Sequence, residues 1–361
     1  MNRVIRAEDL TQFVSHVFIS VGFKPDVALI AAKVLVEADL RGIESHGVGR
    51  LHGYLRQVRE GIIKPDFTPF IERERTTTAI LNGDKGLGLY NTGYACNIAI
   101  EKAKAHGSGW VAIKNSSHFG IAMAHAKKAI EHNMIAMVMT NASPLVAPAG
   151  GNDRMLGTNP ICVCIPAGEQ EPFILDMATT VVANGKLEVA KRKGEDIPIG
   201  YAQTKDGQDT TSANALIDGG TMLPLGSSLA HSSYKGYGLA SWVDIFTGVL
   251  SGANFGPWVP PFVPFLGHDM ERVGEGLGHF IGVWNIDAFM DVPQFKARMD
   301  KWILAFKNSQ PNKGIERVLI PGEIEANLAA KRQSEGIPVH ESVVANLEEI
   351  ATAQNLTINW K

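Results

Sequence analysis

Between residues 76 and 165 strand-like and helix-like runs alternate, and few architectures accommodate that order. An apolar, β-branched run over 76–81 closes on Asn82-Gly83 and is followed by a helical pattern over 90–106 and a strand over 110–114. A second helix over 121–132, stopped at Asn133, leads to strands over 134–140 and 161–165. This rhythm predicts a mixed α/β core. Before it the first sixty residues are helical by period: Leu10, Phe13, Val14, Val17 and Val21 share one face, and Ile30, Ala31, Val34, Leu35 and Ala38 another after Pro25-Asp26. Beyond it the pattern predicts a strand over 172–176, a helix over 179–193, a surface loop over 200–224 and a long buried helix over 233–250. A Gly/Pro-rich aromatic loop over 252–275 then covers the core, and a strand over 280–284 and an amphipathic helix over 292–308 precede a polar helical end.

Composition narrows the function classes. With 34 basic against 37 acidic side chains the chain is almost neutral, which argues against a nucleic-acid or membrane-surface partner. Three cysteines, Cys96, Cys162 and Cys164, are too few for a disulfide framework and read as reduced core thiols. The N-terminus has no apolar signal region and the most apolar stretch, 258–266, is short and broken by prolines, so a cytoplasmic, non-membrane location is expected. No compact His/Cys/acid spacing suggests a bound metal. Glycine is the unusual count, 37 residues of 361 or about a tenth against an average near 7%. Either turns are abundant or the backbone approaches something closely.

The glycines do not spell the common dinucleotide fingerprint. Gly86-Leu87-Gly88-Leu89-Tyr90-Asn91 follows a strand and opens a helix, but Asn91 stands where a third glycine is needed and no acid ends the next strand. An ordinary turn is the better reading. Phosphate-loop, nucleophile-elbow and zincin motifs are absent from the sequence.

Three glycine-containing clusters could carry chemistry. In Glu44-Ser45-His46-Gly47-Val48-Gly49-Arg50, a histidine able to move a proton near neutrality stands four residues before an arginine able to clamp a carboxylate. A helix cap with Arg50 paired to Glu44 is the plain alternative. Asn115-Ser116-Ser117-His118-Phe119-Gly120 lies where a strand hands over to a helix, a ligand position in α/β proteins, which makes His118 a better acid/base candidate than His125 or His132. In Ser233-Tyr234-Lys235-Gly236, a lysine opposes a helix dipole, which an anion such as phosphate would relieve; a solvent-facing lysine is the alternative. Asp176-Met177-Ala178, at a strand end, adds an acid.

Taken in order, ESHGVGRL, NSSHFGIA, APAGGNDRMLGTNPICVCIPA, FILDMATTVVANGK, GGTMLPLG, SYKGYGL and LIPGE resemble the malate/L-lactate dehydrogenase family of the non-Rossmann type, over about residues 5–330. The resemblance implies an α/β, non-Rossmann three-layer fold with a mixed central sheet and with helical N- and C-terminal segments packed together. It implies three lobes: 1–70 plus 292–361 for substrate and dimerisation, 71–130 plus 225–291 for the cofactor, and a smaller one over 131–224. The implied activity is reversible hydride transfer between NAD, or NADP, and a small 2-hydroxy or 2-oxo acid, with malate or L-lactate foremost. Ureidoglycolate, sulfolactate, diketogulonate and cyclic-imine substrates are the alternatives within the same fold, and a homodimer is implied. By motif, His118 and His46 are the candidates for proton transfer, and Arg50, Ser45 and Asn141 bind substrate. Ser143, Asp176, Met177, Ala178, Lys235, Gly236, Pro321, Gly322 and Glu323 meet the cofactor. Asn184, where many relatives carry a basic residue, and the long 252–275 loop depart from the family pattern.

Overall fold

The computed structural model describes residues 2–267, 271–358 and 360. In chain order the strands are β1 Asn2–Ile5, β2 Phe70–Glu74, β3 Thr78–Asn82, β4 Ser108–Ser116, β5 Met134–Thr140, β6 Ile161–Ile165, β7 Phe173–Met177, β8 Ala202–Gln203, β9 Thr221–Met222, β10 Leu277–Asn285 and β11 Ile337–His340. The helices are α1 Ala7–Ser20, α2 Pro25–Leu40, α3 Leu51–Arg59, α4 Gly88–His106, α5 Met123–Ala126, α6 Asn184–Lys193, α7 Ser233–Asp244, α8 Val292–Lys307, α9 Glu323–Glu335 and α10 Glu341–Ala353. Local chemistry sets their ends. Pro25 occupies the first turn of α2, Gly107 and Gly194 close α4 and α6 in the left-handed conformation, and Asn133 does the same before β5.

Seven strands form the central sheet in the order β2-β3-β4-β10-β5-β6-β7. Only β3 and β4, joined across α4, run parallel; the other neighbours are antiparallel. The expected alternation thus yields one crossover unit, after which antiparallel pairing takes over. β10, from late in the chain, lies between β4 and β5 and is buried over its first seven residues, which explains its glycines: a Cβ on Gly278 would fall 1.6 Å from the Thr247 carbonyl oxygen.

The sheet is covered on both faces. On one side α1, α2 and α4 build the largest core, including Phe13, Val17, Leu35, Leu89 and Ile100 with Val111, Val138 and Ile281 of the sheet. On the other, Val243, Trp242 and Phe246 pack on Ala112, Met139 and Phe280. The chain ends meet as expected: β1 pairs with β11, and the rings of Phe13 and Trp360 stand edge to face at 5.1 Å. A separate small core gathers Leu145, Val146, Leu156, Leu187, Ile197, Leu216 and Met222. The lobe expected over 131–224 is nevertheless not a unit apart, because β5, β6 and β7 within it belong to the central sheet.

Three further expectations are corrected. The helix foreseen over 179–193 begins only at Asn184; the preceding threonines spend their hydroxyls on the chain, Thr179 on the carbonyls of Thr158 and Asn159 and Thr180 on that of Val182. The helix foreseen over 233–250 is α7 followed by a wider π-turn, Ile245–Val249, and it is buried on one face only; Tyr234, Leu239, Ile245 and Leu250 are exposed. The segment foreseen as a helix over 121–132 is the short α5 continued as a tighter 3-10 coil, Lys127–His132. No helix among the described residues is long and apolar enough to cross a membrane.

Candidate active site

His118 is placed by the end of β4. There the Ser117 hydroxyl accepts from the Gly88 N–H at 2.9 Å and donates to the Gly86 carbonyl at 3.1 Å, tying the strand end to the start of α4. Gly88 sits so close that a Cβ would lie 1.9 Å from the Ser117 carbonyl oxygen. The Gly86–Gly88 pattern is therefore a packing turn. Phe119, the next residue, is stacked between the rings of His125 and His279, at 5.5 and 5.1 Å. Both histidines are buried and hydrogen-bonded, His125 to the Phe119 carbonyl and His279 to Ser116 and Thr140. Burial depresses them to about 4 and about 3, so they are neutral structural rings.

The second contributor is the link between α2 and α3, two single 3-10 turns, Glu44–His46 and Val48–Arg50. The Ser45 hydroxyl and His46 Nδ1 are 2.9 Å apart. Arg50 does not pair with Glu44. Its Nε donates to the Ser45 carbonyl at 2.5 Å and its Nη2 reaches Glu188 on α6 at 3.4 Å, while Glu44 is held by Arg332.

These elements bring the two candidate histidines together, their rings stacked at 5.6 Å. Phe262 stacks on the His118 ring at 4.6 Å. His118 Nδ1 is 2.6 Å from the hydroxyl of buried Tyr54 and accepts from the Gly120 N–H at 3.3 Å, which leaves Nε2 for a substrate. The Gly120 N–H marks Nδ1 as an acceptor, with the phenol donating to it and Nε2 protonated; for Nε2 to act as the base the proton sits on Nδ1, the phenol accepts it and the Gly120 contact is given up. Burial, reinforced by Arg50, drives His46 down to about 4; burial, with His46 and Arg50, drives His118 well below the ordinary histidine range. Both imidazoles are uncharged at neutrality, with one guanidinium beside them.

The site residues expected from sequence divide into two groups. Ser45, His46, Arg50, His118, Ser143, Asp176 and Ala178 line one cavity of about 200 Å³. Pro321 and Gly322 line a neighbouring groove of about 330 Å³, and the two share Ile43 and Asp176. Asp176 accepts from the Met123 N–H at 2.9 Å and burial raises its carboxyl to about 6. The others line neither. Asn141 is buried with its amide spent on the Asn254 carbonyl and the Gly278 N–H, Met177 lines neither cavity, and Glu323 is paired with Arg317 and Lys307. Lys235 is exposed and lines neither space, while Gly236 packs on Leu225, whose backbone nitrogen lies 2.3 Å from where a Cβ would be. Among the described residues no cluster of three His, Cys, Asp or Glu could hold a metal.

Sequence reasoning missed Tyr54, Phe262 and Glu188. Tyr54 had a signal, since it stands one helical turn beyond Arg50. Phe262 lay inside the loop foreseen as a cover; its N–H donates to the Ser143 hydroxyl at 2.8 Å, which fastens that loop over the site. Glu188 had none, because its approach to Arg50 crosses 138 residues.

A cavity holding an arginine beside two neutral imidazoles, with an apolar groove next to it, is suited to proton transfer on a small acid. The sequence model of the malate/L-lactate dehydrogenase family matches residues 5–348. The chain belongs to that family. It is 42% identical to a malate dehydrogenase of Pyrococcus abyssi, over 96% of this chain and 94% of that one. It is 36% identical to a malate/(S)-sulfolactate dehydrogenase of Methanothermus fervidus, over 99% and 100%. Its fold superposes on a crystal structure of malate dehydrogenase from Entamoeba histolytica with a TM-score of 0.93 at 29% identity, covering the whole of both chains. As a member of the malate/L-lactate dehydrogenase family the protein is an oxidoreductase acting on a hydroxy acid, with a nicotinamide cofactor.

Proposed function

We propose that the protein interconverts a small 2-hydroxy acid and the 2-oxo acid, malate or L-lactate foremost, with NAD as cofactor. The observation that carries this reading is the cavity in which Tyr54-anchored His118 stands beside Arg50. Arg50 holds the substrate carboxylate, and His118 Nε2 takes the hydroxyl proton during oxidation and returns it during reduction. Free Arg50 disfavours a charged imidazole; a bound carboxylate cancels that effect, so His118 gains proton affinity only when substrate is in place.

The chain fits the nicotinamide end of a dinucleotide. The cavity at His118 shares Ile43 and Asp176 as walls with the groove of Pro321 and Gly322, where the left-handed glycine lets the backbone lie against Ile174. Ile121, Ala122, Asp176, Ala178, Pro321 and Gly322 would hold the cofactor. When bound it accepts or delivers the hydride. The exposed apolar side of α7 and its π-turn, with Tyr234, Leu239, Ile245 and Leu250, supports a homodimer, and three free buried cysteines suit a reducing, cytoplasmic setting.

The test is turnover of malate, L-lactate, sulfolactate and ureidoglycolate with NAD and with NADP, followed by nicotinamide absorbance. Turnover of malate or L-lactate with NAD supports the reading. Turnover of none of the four sinks it.

Two outcomes follow from the electrostatics. Because His46 and His118 are uncharged well below the ordinary histidine value of about 6.5, kcat/KM for oxidation should stay level as pH falls through that value. Reduction, which needs the imidazolium, should gain with acidity over the same window. Because burial raises Asp176 to about 6 and Asp39 to about 7, a break near 6.5 in the oxidation profile contradicts the described surroundings of His118 if Asp176→Asn and Asp39→Asn leave it in place. Second, Glu188 competes with substrate for Arg50 while Asn184 holds its other oxygen at 2.9 Å. The glutamate is half exposed, so the pair is weak, roughly 1 kcal/mol or less. Glu188→Gln should lower KM for the hydroxy acid about 3- to 5-fold with kcat unchanged, and a raised KM would show that Glu188 assists binding instead.

A further inference from the structure

We propose that Asp39 is a positioning residue of this site: its buried carboxylate seats the turn over residues 45–50 and thereby sets where His46 and Arg50 stand. The inference rests on the reading that these two residues serve substrate chemistry. Asp39 lies in the last turn of α2, is only 5% exposed and lines neither cavity. Its Oδ2 accepts from the Val48 N–H at 2.7 Å. That N–H begins the 3-10 turn Val48–Arg50, so it has no partner within the turn.

The other oxygen is pressed onto Gly47. A Cβ at Gly47 would lie 1.9 Å from Oδ1 and 2.2 Å from Cγ of Asp39. Gly47 has φ −83°, which any residue adopts, so glycine is required here for space and not for conformation. The carboxylate thus occupies the volume of the missing side chain, with His46 on one side of the contact and Val48 on the other. Arg332 of α9 closes the arrangement from outside, donating from Nη1 to the Asp39 carbonyl and from Nη2 to Glu44 at 3.1 Å. Glu44 and Arg332 are the charged groups that act on the Asp39 carboxyl, which burial raises to about 7. A buried carboxyl out of reach of substrate, in either protonation state able to accept from the Val48 N–H, is accounted for by what it holds.

The test compares Asp39→Ser, whose hydroxyl is too short to reach Val48, with Asp39→Asn, whose Oδ1 can still accept. Asp39→Ser should raise KM for the hydroxy acid about 10-fold or more, with kcat changed less than about 3-fold and the NADH Kd, read by nicotinamide fluorescence, unchanged. Asp39→Asn should return KM to within about 3-fold of the parent. Gly47→Ala should be as damaging in the parent, yet add little to Asp39→Ser, because the colliding carboxylate is gone. An unchanged KM in Asp39→Ser overturns the proposal, and so does a joint loss of KM, kcat, NADH binding and Tm, which would mark a merely structural residue. Should Asp39→Ser fail to fold, Gly47→Ala decides alone: raised KM with NADH affinity retained supports the seat, unchanged KM overturns it. One further measurement is independent of turnover. The His46 ring resonance in the ligand-free protein, assigned by its loss in His46→Gln, should shift in Asp39→Ser while that of His279 stays. If the parent oxidises no hydroxy acid, the functional reading fails and this resonance alone decides on Asp39, an unmoved signal overturning it.

Discussion

Replacing His118 by alanine is expected to lower kcat in both directions by about 10²–10⁴-fold, the usual contribution of a positioned acid/base, while NADH binding persists. The expectation rests on an asymmetry between the two stacked rings. His118 is held at Nδ1 by a fully buried phenol at 2.6 Å and clasped between His46 and Phe262. His46, beyond its stacking on His118, is held by the hydroxyl of its own neighbour, Ser45. A proton-transfer group whose orientation is fixed by a third residue is the arrangement that catalysis requires. Tyr54→Phe should therefore show a smaller loss in kcat than His118→Ala, since the ring remains and only its anchor is lost. Steady-state rates with both variants and with His46→Ala check the ordering; a larger loss in His46→Ala would exchange the two roles.

Arg50→Ala should be the most damaging substitution for substrate affinity. Leaving a bound carboxylate without its guanidinium costs about 2–5 kcal/mol, so kcat/KM should fall by about 30- to 5,000-fold, largely through KM. Arg50→Lys should recover only part of this. The guanidinium already spends Nε on the Ser45 carbonyl while Nη2 points to Glu188, and an ammonium on a flexible stem cannot make both contacts from one fixed plane. Titrating a 2-oxo acid into the NADH-loaded variants separates binding from turnover. Full activity in Arg50→Lys would show that only charge is used.

Much of this site was legible in short sequence because its parts sit at the ends of regular elements. His118 follows a strand whose apolar run is plain, and His46 and Arg50 share one short turn after a periodic helix. The failure of the dinucleotide fingerprint was also informative: the glycines at 86 and 88 accommodate the β4 end and Phe67, not a phosphate. Other features were hidden for physical reasons. Asn141 looked like a site residue because it ends a strand, but tertiary contacts with Asn254 and Gly278 consume its amide. A lone Lys235 at a helix start carries no information about which way the helix faces, and α7 turns that residue to the surface. The helix expected from Thr179 starts later because Thr179 bonds to the distant Thr158 carbonyl and Thr180 to the Val182 carbonyl two residues on, and neither pattern is helical. Contacts between residues far apart in the chain, such as Glu188 with Arg50 or Asp39 with Val48, leave no periodic trace at all.

The position of β10 also bears on how the protein is made. During synthesis β2-β3-β4 and β5-β6-β7 emerge long before residues 277–285, which must finally enter between them. Until then β4 and β5 each present an unpaired edge, apolar at 110–113 of β4 and Met-, Ile- and Val-rich in β5, a template for pairing with another nascent chain. Closing the sheet demands contacts between Ile113 and His279, far apart in sequence, a topology that slows folding and lengthens exposure to aggregation. His118, the proposed proton-transfer residue, follows the end of that waiting β4 edge, so acquisition of activity after release from the ribosome should report the insertion of this one strand.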